Sequence, residues 1–154
     1  MSSHCESSLK LRAGDIHSNA RYFREAASHL YSFTENDGIA NGLIIPAIVC
    51  LAFSIELELK AILVQLDSGR RVNKEHRLDE LFEYLPDALK TEIFELCKDG
   101  HPNFVYALGE EAKAFVMWRY SHEHGLLRAN TKFLLDLSNA CAFTYGKLTQ
   151  KESD

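Results

Sequence analysis

Apolar residues recur every three or four positions along most of the chain, with polar residues between them, which is the pattern of amphipathic helices. The first set predicts a helix that ends near "ENDG", and its apolar positions are Ile16, Ala20, Phe23, Ala27, Leu30 and Phe33. A second helix over about 40 to 67 is apolar on most sides in its first half, which is typical of a central helix. Pro46 either opens this helix or kinks it.

Shorter apolar sets follow a polar loop, "DSGRRVNKE". Residues 76 to 85 predict a short helix that Pro86 stops, and Pro86 can itself begin the next helix, which runs to "KDG". The apolar positions between Phe104 and Trp118 predict a long helix closed by Gly125. Asn130 can cap a last helix that runs through Leu148.

No stretch alternates with period two between hairpin turns, so the sequence predicts no strands. The fold class is therefore all-α, an up-down helical bundle of four long helices with a short helical insertion near 76 to 99. The 154 residues fit a single helical domain over 1 to 154, with an ordered core over about 12 to 148.

Composition limits the classes of function. The net charge of −5 argues against non-specific coating of nucleic acid, and we expect no binding to DNA, although a small basic site remains possible. The longest apolar run, 43 to 53, is followed at once by "ELELK", so we expect no membrane span. The four cysteines form no CxxC pair and are expected to be small buried residues of a cytoplasmic protein.

The sequence contains no glycine-rich phosphate loop, no HExxH and no GxSxG motif, and we expect neither a cofactor nor a metal ion. "HEHG" resembles a metal motif, but His122 and His124 would point about 200° apart on a regular helix.

The stretch "WRYSHEHG" contains the strongest chemical candidates. The guanidinium of Arg119 can hold a phosphate, and His124, with help from His122, can transfer a proton to or from an RNA oxygen. These groups are a minimal set for a metal-independent ribonuclease. The alternative interpretation is structural: Arg119 pairs with Glu123, and the histidines cap carbonyls at a helix end. Tyr120 either stacks on a base or belongs to the core.

A second polar candidate lies in "SIELELK". Glu56 and Lys60 are four residues apart and can pair on a helix. Glu56 or Glu58 would need a positive partner near the core, and Arg119 is one hypothesis for that partner.

The segments "LAFSIELELKAIL", "HRLDELFEYLP" and "WRYSHE" together resemble the HEPN superfamily of small prokaryotic helical proteins, over roughly residues 15 to 148. The resemblance implies a bundle of four or five helices, a homodimer and, in many members, a ribonuclease with an Arg-x4–6-His motif, often a toxin beside an antitoxin-like partner protein. On that pattern Arg119 and His124 would face RNA in a cleft at the dimer interface.

The segment "RYSHE" also fits an RYxxE-like branch that requires no histidine. The protein would then be a non-catalytic binding or regulatory module that uses the same cleft.

Overall fold

The computed structural model describes residues 2–35, 43–67, 72–120, 122 and 129–153, and the side chains of 12–31 within the first helix. All regular structure in these ranges is helical. The α-helices are α1 (Ser2–Glu35), α2 (Ile44–Gln65), α3 (Leu78–Glu83), α4 (Asp87–Cys97), α5 (Phe104–Glu110), α6 (Ala114–Arg119) and α7 (Thr131–Lys151), with a short 3-10 turn at Val72–Lys74.

Helix α2 lies at the centre of the fold and packs against α1, α3, α6 and α7. Most of its residues are buried, as expected for a helix that is apolar on most sides. Its largest fully buried side chains are those of Leu51, Ile55, Leu59, Ile62 and Leu63. Pro46 lies in the first turn, where its missing N–H is not needed, so it opens the helix rather than kinking it.

Helix α7 forms the other long wall of the core. Its N-terminal end is capped by Asn130, whose side chain accepts the N–H of Phe133 at 3.0 Å, as the sequence predicts. Phe133, Leu134 and Leu137 are fully buried between α7 and the other core helices.

The prediction of a single long helix after residue 104 is wrong. The structure divides it into α5 and α6, with a turn at residues 111 to 113. The carbonyl of Ala112 accepts the N–H of Leu78 at 2.9 Å, and Glu111 turns inward to bond the N–H of Asn130. Because these bonds connect the turn to α3 and α7, tertiary contacts interrupt a segment whose periodicity is helical throughout.

The two short helices predicted between 76 and 99 are present as α3 and α4. Pro86 lies one position before the first residue of α4, and its ψ of 147° gives the chain an extended conformation between the two helices. Cys97 and Cys141 are buried and Cys50 is half-buried, as expected for small apolar residues. No helix in the described part of the chain is long and apolar enough to cross a lipid bilayer.

Candidate functional site

Arg119 is the last residue of α6, and its side chain lies on the surface between two aromatic rings. Its guanidinium carbon lies 4.8 Å from the ring centre of Phe115 and 5.0 Å from that of Tyr120. Among the residues that the structure describes, no carboxylate lies within ion-pair distance of Arg119. The aromatic faces orient this cation without neutralising its charge.

A row of stacked rings anchors the Arg119 platform to the body of the protein. Phe115 of α6 stacks on Phe53 of α2 at 4.5 Å, and Phe53 contacts Phe23 of α1 edge-on at 4.7 Å. The three helices therefore fix the position of the ring on which Arg119 rests. Trp118, on the same helix, is half-buried against the core.

The other residues predicted around Arg119 are only partly described. Tyr120 is exposed, so it does not belong to the core, and His122 is exposed three residues beyond Arg119. Glu123 and His124 lie outside the described residues. The structural interpretation, in which Arg119 pairs with Glu123, therefore stays a prediction, as do the roles of His122 and His124.

Glu56 and Lys60 form the predicted pair, with Lys60 Nζ 2.7 Å from Glu56 Oε1. His76 joins them: its Nδ1 lies 2.9 Å from the same oxygen. The second oxygen of Glu56, Oε2, is buried and has no hydrogen-bond partner in the part of the chain that the structure describes. Two of the segments that carry the family resemblance, "LELK" and "HRL", therefore meet at one buried carboxylate. Sequence reasoning did not select His76, because twenty residues and a polar loop separate it from Glu56.

Glu58 lies on another side of α2 and has different partners. Its carboxylate is fully buried, with His17 Nδ1 at 2.8 Å and Arg24 Nη1 at 3.1 Å, both from α1. The ring of His17 stacks on Tyr145 of α7 at 4.3 Å. Burial, with a further contribution from Glu58, raises the pKa of Tyr145. The hypothesis that Arg119 neutralises Glu56 or Glu58 is therefore wrong. Lys60 balances the charge of Glu56, and Arg24 balances that of Glu58.

A cavity of about 610 Å³ lies between the α4–α5 turn, α5 and the start of α7. Its lining includes His101, Tyr106, Glu111, Asn130 and Lys132. This cavity was not predicted from the sequence. Its polar residues come from segments too far apart for a local spacing to reveal them.

Glu111, which lines this cavity, and Asp136, which bonds to the lining residues His101 and Lys132, have displaced pKa values. Burial raises the pKa of Glu111, and the N–H of Asn130 offsets part of the rise. Burial also acts to raise the pKa of Asp136, but hydrogen bonds from Lys132 and His101, each 2.8 Å long, outweigh it and leave the pKa lowered. Glu111 bonds to Asn130 at the start of α7, and Asp136 of α7 bonds to His101 in the turn before α5. These structural contacts explain why both carboxylates are present.

Within the described ranges, no group of three or more His, Cys, Asp or Glu side chains is arranged to hold a metal ion. The chemically useful groups described above are the oriented guanidinium of Arg119, the exposed ring of Tyr120 and the ring of His76, which is bound to the Glu56 carboxylate. These groups suit phosphate binding, base stacking and proton transfer.

A scan against protein-family models, a search of curated proteins and a search of solved structures each gave no match to this chain.

Proposed function

We propose that the protein is a HEPN-like helical domain that binds single-stranded RNA through the Arg119 surface and cleaves it without a metal ion. The observation that carries this proposal is the exposed guanidinium of Arg119, held between Phe115 and Tyr120 with no carboxylate partner among the described residues. A cation that no described carboxylate neutralises can bind a phosphate, and the adjacent ring can stack on a base.

In this proposal Arg119 holds the scissile phosphate and stabilises the charge that develops on it. His124 is the general acid or base, as the family resemblance implies, and His122 assists the proton transfer. The active form is a cytoplasmic homodimer whose two copies of this surface line one cleft, and an antitoxin-like protein is the expected partner.

The test is cleavage of a mixed-sequence RNA in EDTA by the wild type, Arg119→Ala, Arg119→Lys and His124→Ala. Loss of a proton-transfer group costs about 10²–10⁴ in rate, so His124→Ala should be nearly inactive. Arg119→Lys should also lose activity, because a lysine keeps the charge but not the planar fork. Arg12→Ala, which removes an exposed arginine of α1, is the matched control and should cleave like the wild type. An inert wild type in folded form would refute the ribonuclease proposal.

A second candidate, a non-catalytic dimeric binding module, is favoured by the apolar character of the same surface. Val116, Met117 and Tyr120 are exposed to 36%, 36% and 41% next to Arg119. Exposed apolar side chains around an arginine are typical of protein interfaces. If the module interpretation holds, Met117→Glu should convert a dimer to a monomer in light scattering, while the wild type should cleave no RNA.

A further inference from the structure

We propose that His76 is a second proton-transfer residue of the RNA cleavage described above, and that the buried carboxylate of Glu56 positions its ring. This inference rests on the proposed function and extends it to a histidine outside the "WRYSHEHG" segment. It is carried by the contacts of His76, its exposure and its place relative to Arg119.

Metal-independent cleavage of RNA requires two proton transfers. The 2′-hydroxyl attacks phosphorus, so the O2′–P bond forms while the P–O5′ bond breaks, giving a 2′,3′-cyclic phosphate and a free 5′-hydroxyl. One group accepts the proton of the 2′-hydroxyl, and another donates a proton to the departing O5′. An arginine stabilises the phosphorane charge but cannot perform either transfer near neutral pH.

The contacts of His76 suit one of these transfers. Its Nδ1 lies 2.9 Å from Glu56 Oε1, and with Nδ1 as the donor the tautomer leaves Nε2 available for a substrate. The His76 side chain is 51% exposed, whereas that of Glu56 is 2% exposed. One edge of the ring is therefore held from the interior while the ring remains open to solvent. A carboxylate behind a histidine fixes its orientation in this way.

Glu56 is itself held firmly. Lys60 donates to the same oxygen at 2.7 Å and balances the buried negative charge. The other oxygen, Oε2, is buried and has no hydrogen-bond partner among the described residues, so the contacts to Lys60 and His76 are both made by Oε1.

His76 and Arg119 border the same face of α2. Phe53, Glu56 and Lys60 are spaced three and four residues apart, so they share one face of that helix. Phe115 stacks on Phe53 at 4.5 Å and supports Arg119. The backbone bond from Leu78 to Ala112 connects the segment after His76 to the turn that precedes α6. Arg119 and His76 are therefore both connected to this face of α2, Arg119 through Phe115 and His76 through Glu56.

A similar pair on another side of α2 provides a matched control. His17 Nδ1 lies 2.8 Å from Glu58 Oε2, but the His17 ring is covered by Tyr145 and only 28% of the side chain is exposed. A purely structural carboxylate–histidine pair should behave like this one. The comparison separates loss of a buried hydrogen bond from loss of a proton-transfer group.

The experiment measures single-turnover cleavage of a single-stranded RNA oligonucleotide in EDTA by the wild type, His76→Ala, His76→Asn, Glu56→Gln and His17→Gln. Asparagine retains a donor for Glu56 but cannot transfer a proton, so His76→Asn should stay folded and lose about 10²–10⁴ in rate. Added imidazole should restore part of the activity of His76→Ala, because it can occupy the vacated space and act as acid or base. Glu56→Gln should lower the maximal single-turnover rate more than it raises the protein concentration that gives half of that rate. His17→Gln should keep the wild-type rate.

The outcomes are distinguishable. If the wild type cleaves RNA and folded His76→Asn cleaves at the same rate, the role of His76 is refuted while the proposed function stands. The same conclusion follows if imidazole has no effect on a folded, inactive His76→Ala. If the folded wild type cleaves no RNA, the proposed function fails, and the role of His76 fails with it.

Discussion

Arg24 of α1 and Glu58 of α2 form an ion pair 3.1 Å long in which the carboxylate is fully buried and the arginine side chain is 18% exposed. The pair connects the longest helix to the central one. Removing one member of a buried pair leaves a charge that solvent cannot reach, so its loss is costly.

Arg24→Ala should lower the free energy of unfolding by about 3 kcal/mol, because His17 alone would then face the Glu58 carboxylate. Urea denaturation followed by circular dichroism measures the change. Arg21→Ala is the control: its pair with Glu25 is 4.0 Å long and about half-exposed on both sides. Such surface pairs contribute at most about 1 kcal/mol, so equal losses in the two variants would contradict the assignment of Glu58 as a buried charge.

Glu111→Gln should change the pH dependence of stability in a defined direction. Burial raises the pKa of Glu111, so the folded protein binds this proton more tightly than the unfolded chain. The stability contributed by protonated Glu111 is complete below its unfolded pKa and is lost as pH rises through the folded pKa. Glutamine does not titrate and keeps a carbonyl acceptor for Asn130. The variant should therefore gain stability relative to the wild type between about pH 4 and pH 7.

The measurement for Glu111→Gln is urea unfolding of both proteins at the two pH values. Asp136 titrates with the opposite sign, but it is present in both proteins and cancels in the difference. A difference in stability that does not change with pH, or that changes the other way, would show that the Glu111 carboxylate is not destabilised by burial.

Two phenylalanines of α7 should differ strongly in their contribution to stability. Phe133 is fully buried and packs against Phe104 with ring centres 5.5 Å apart, whereas Phe143 is 55% exposed. Phe133→Ala should cost about 3–5 kcal/mol, because it removes buried apolar surface and leaves a cavity. Phe143→Ala should cost less than about 1 kcal/mol. Thermal unfolding of the two variants tests which face of α7 is buried. A larger loss of stability in Phe143→Ala than in Phe133→Ala would contradict the burial of the Phe133 face.

The buried thiols should react slowly with alkylating reagents. Burial raises the pKa of Cys97 to about 11, and burial also raises the pKa of Cys141 well above its usual range. The thiolate is the reactive form, so both residues should be modified far more slowly than a free cysteine near neutral pH. Cys50 is half-buried and should react before them. Mass spectrometry after timed exposure to iodoacetamide, with and without denaturant, gives the order; rapid native labelling of Cys141 would contradict its burial.

Local patterns in the sequence predicted the helices well where the burial of one face decides the structure. The apolar first half of α2 predicts its central position in the fold, and the side-chain oxygen of Asn130 predicts the cap of α7. The helix after residue 104 could not be predicted, because the carbonyl of Ala112 bonds to Leu78, which lies more than thirty residues earlier. Periodicity reports which face is apolar and says nothing about distant partners.

The candidate site was predicted less completely for the same reason. The spacing of Glu56 and Lys60 predicted their pair, which forms within one helix. The partners of Glu58 and the contact between Glu56 and His76 depend on how helices and loops pack, so no local pattern contains them. The two rings beside Arg119 are local, since Phe115 lies four residues before it and Tyr120 one residue after it. Only the stacking of Phe115 on Phe53 depends on how the helices pack.

Glu56 and Glu58 are two positions apart on α2, so they point about 200° apart around the helix axis. Each is held by a histidine from a different part of the chain, Glu56 by His76 and Glu58 by His17. A helix this rich in interchangeable leucine and isoleucine could otherwise turn or slide to an alternative packing with little loss of apolar contact. The two opposed carboxylates remove that freedom, because any other rotation would place at least one negative charge against hydrocarbon. They select one orientation of α2 and thereby determine which of its faces meets α6.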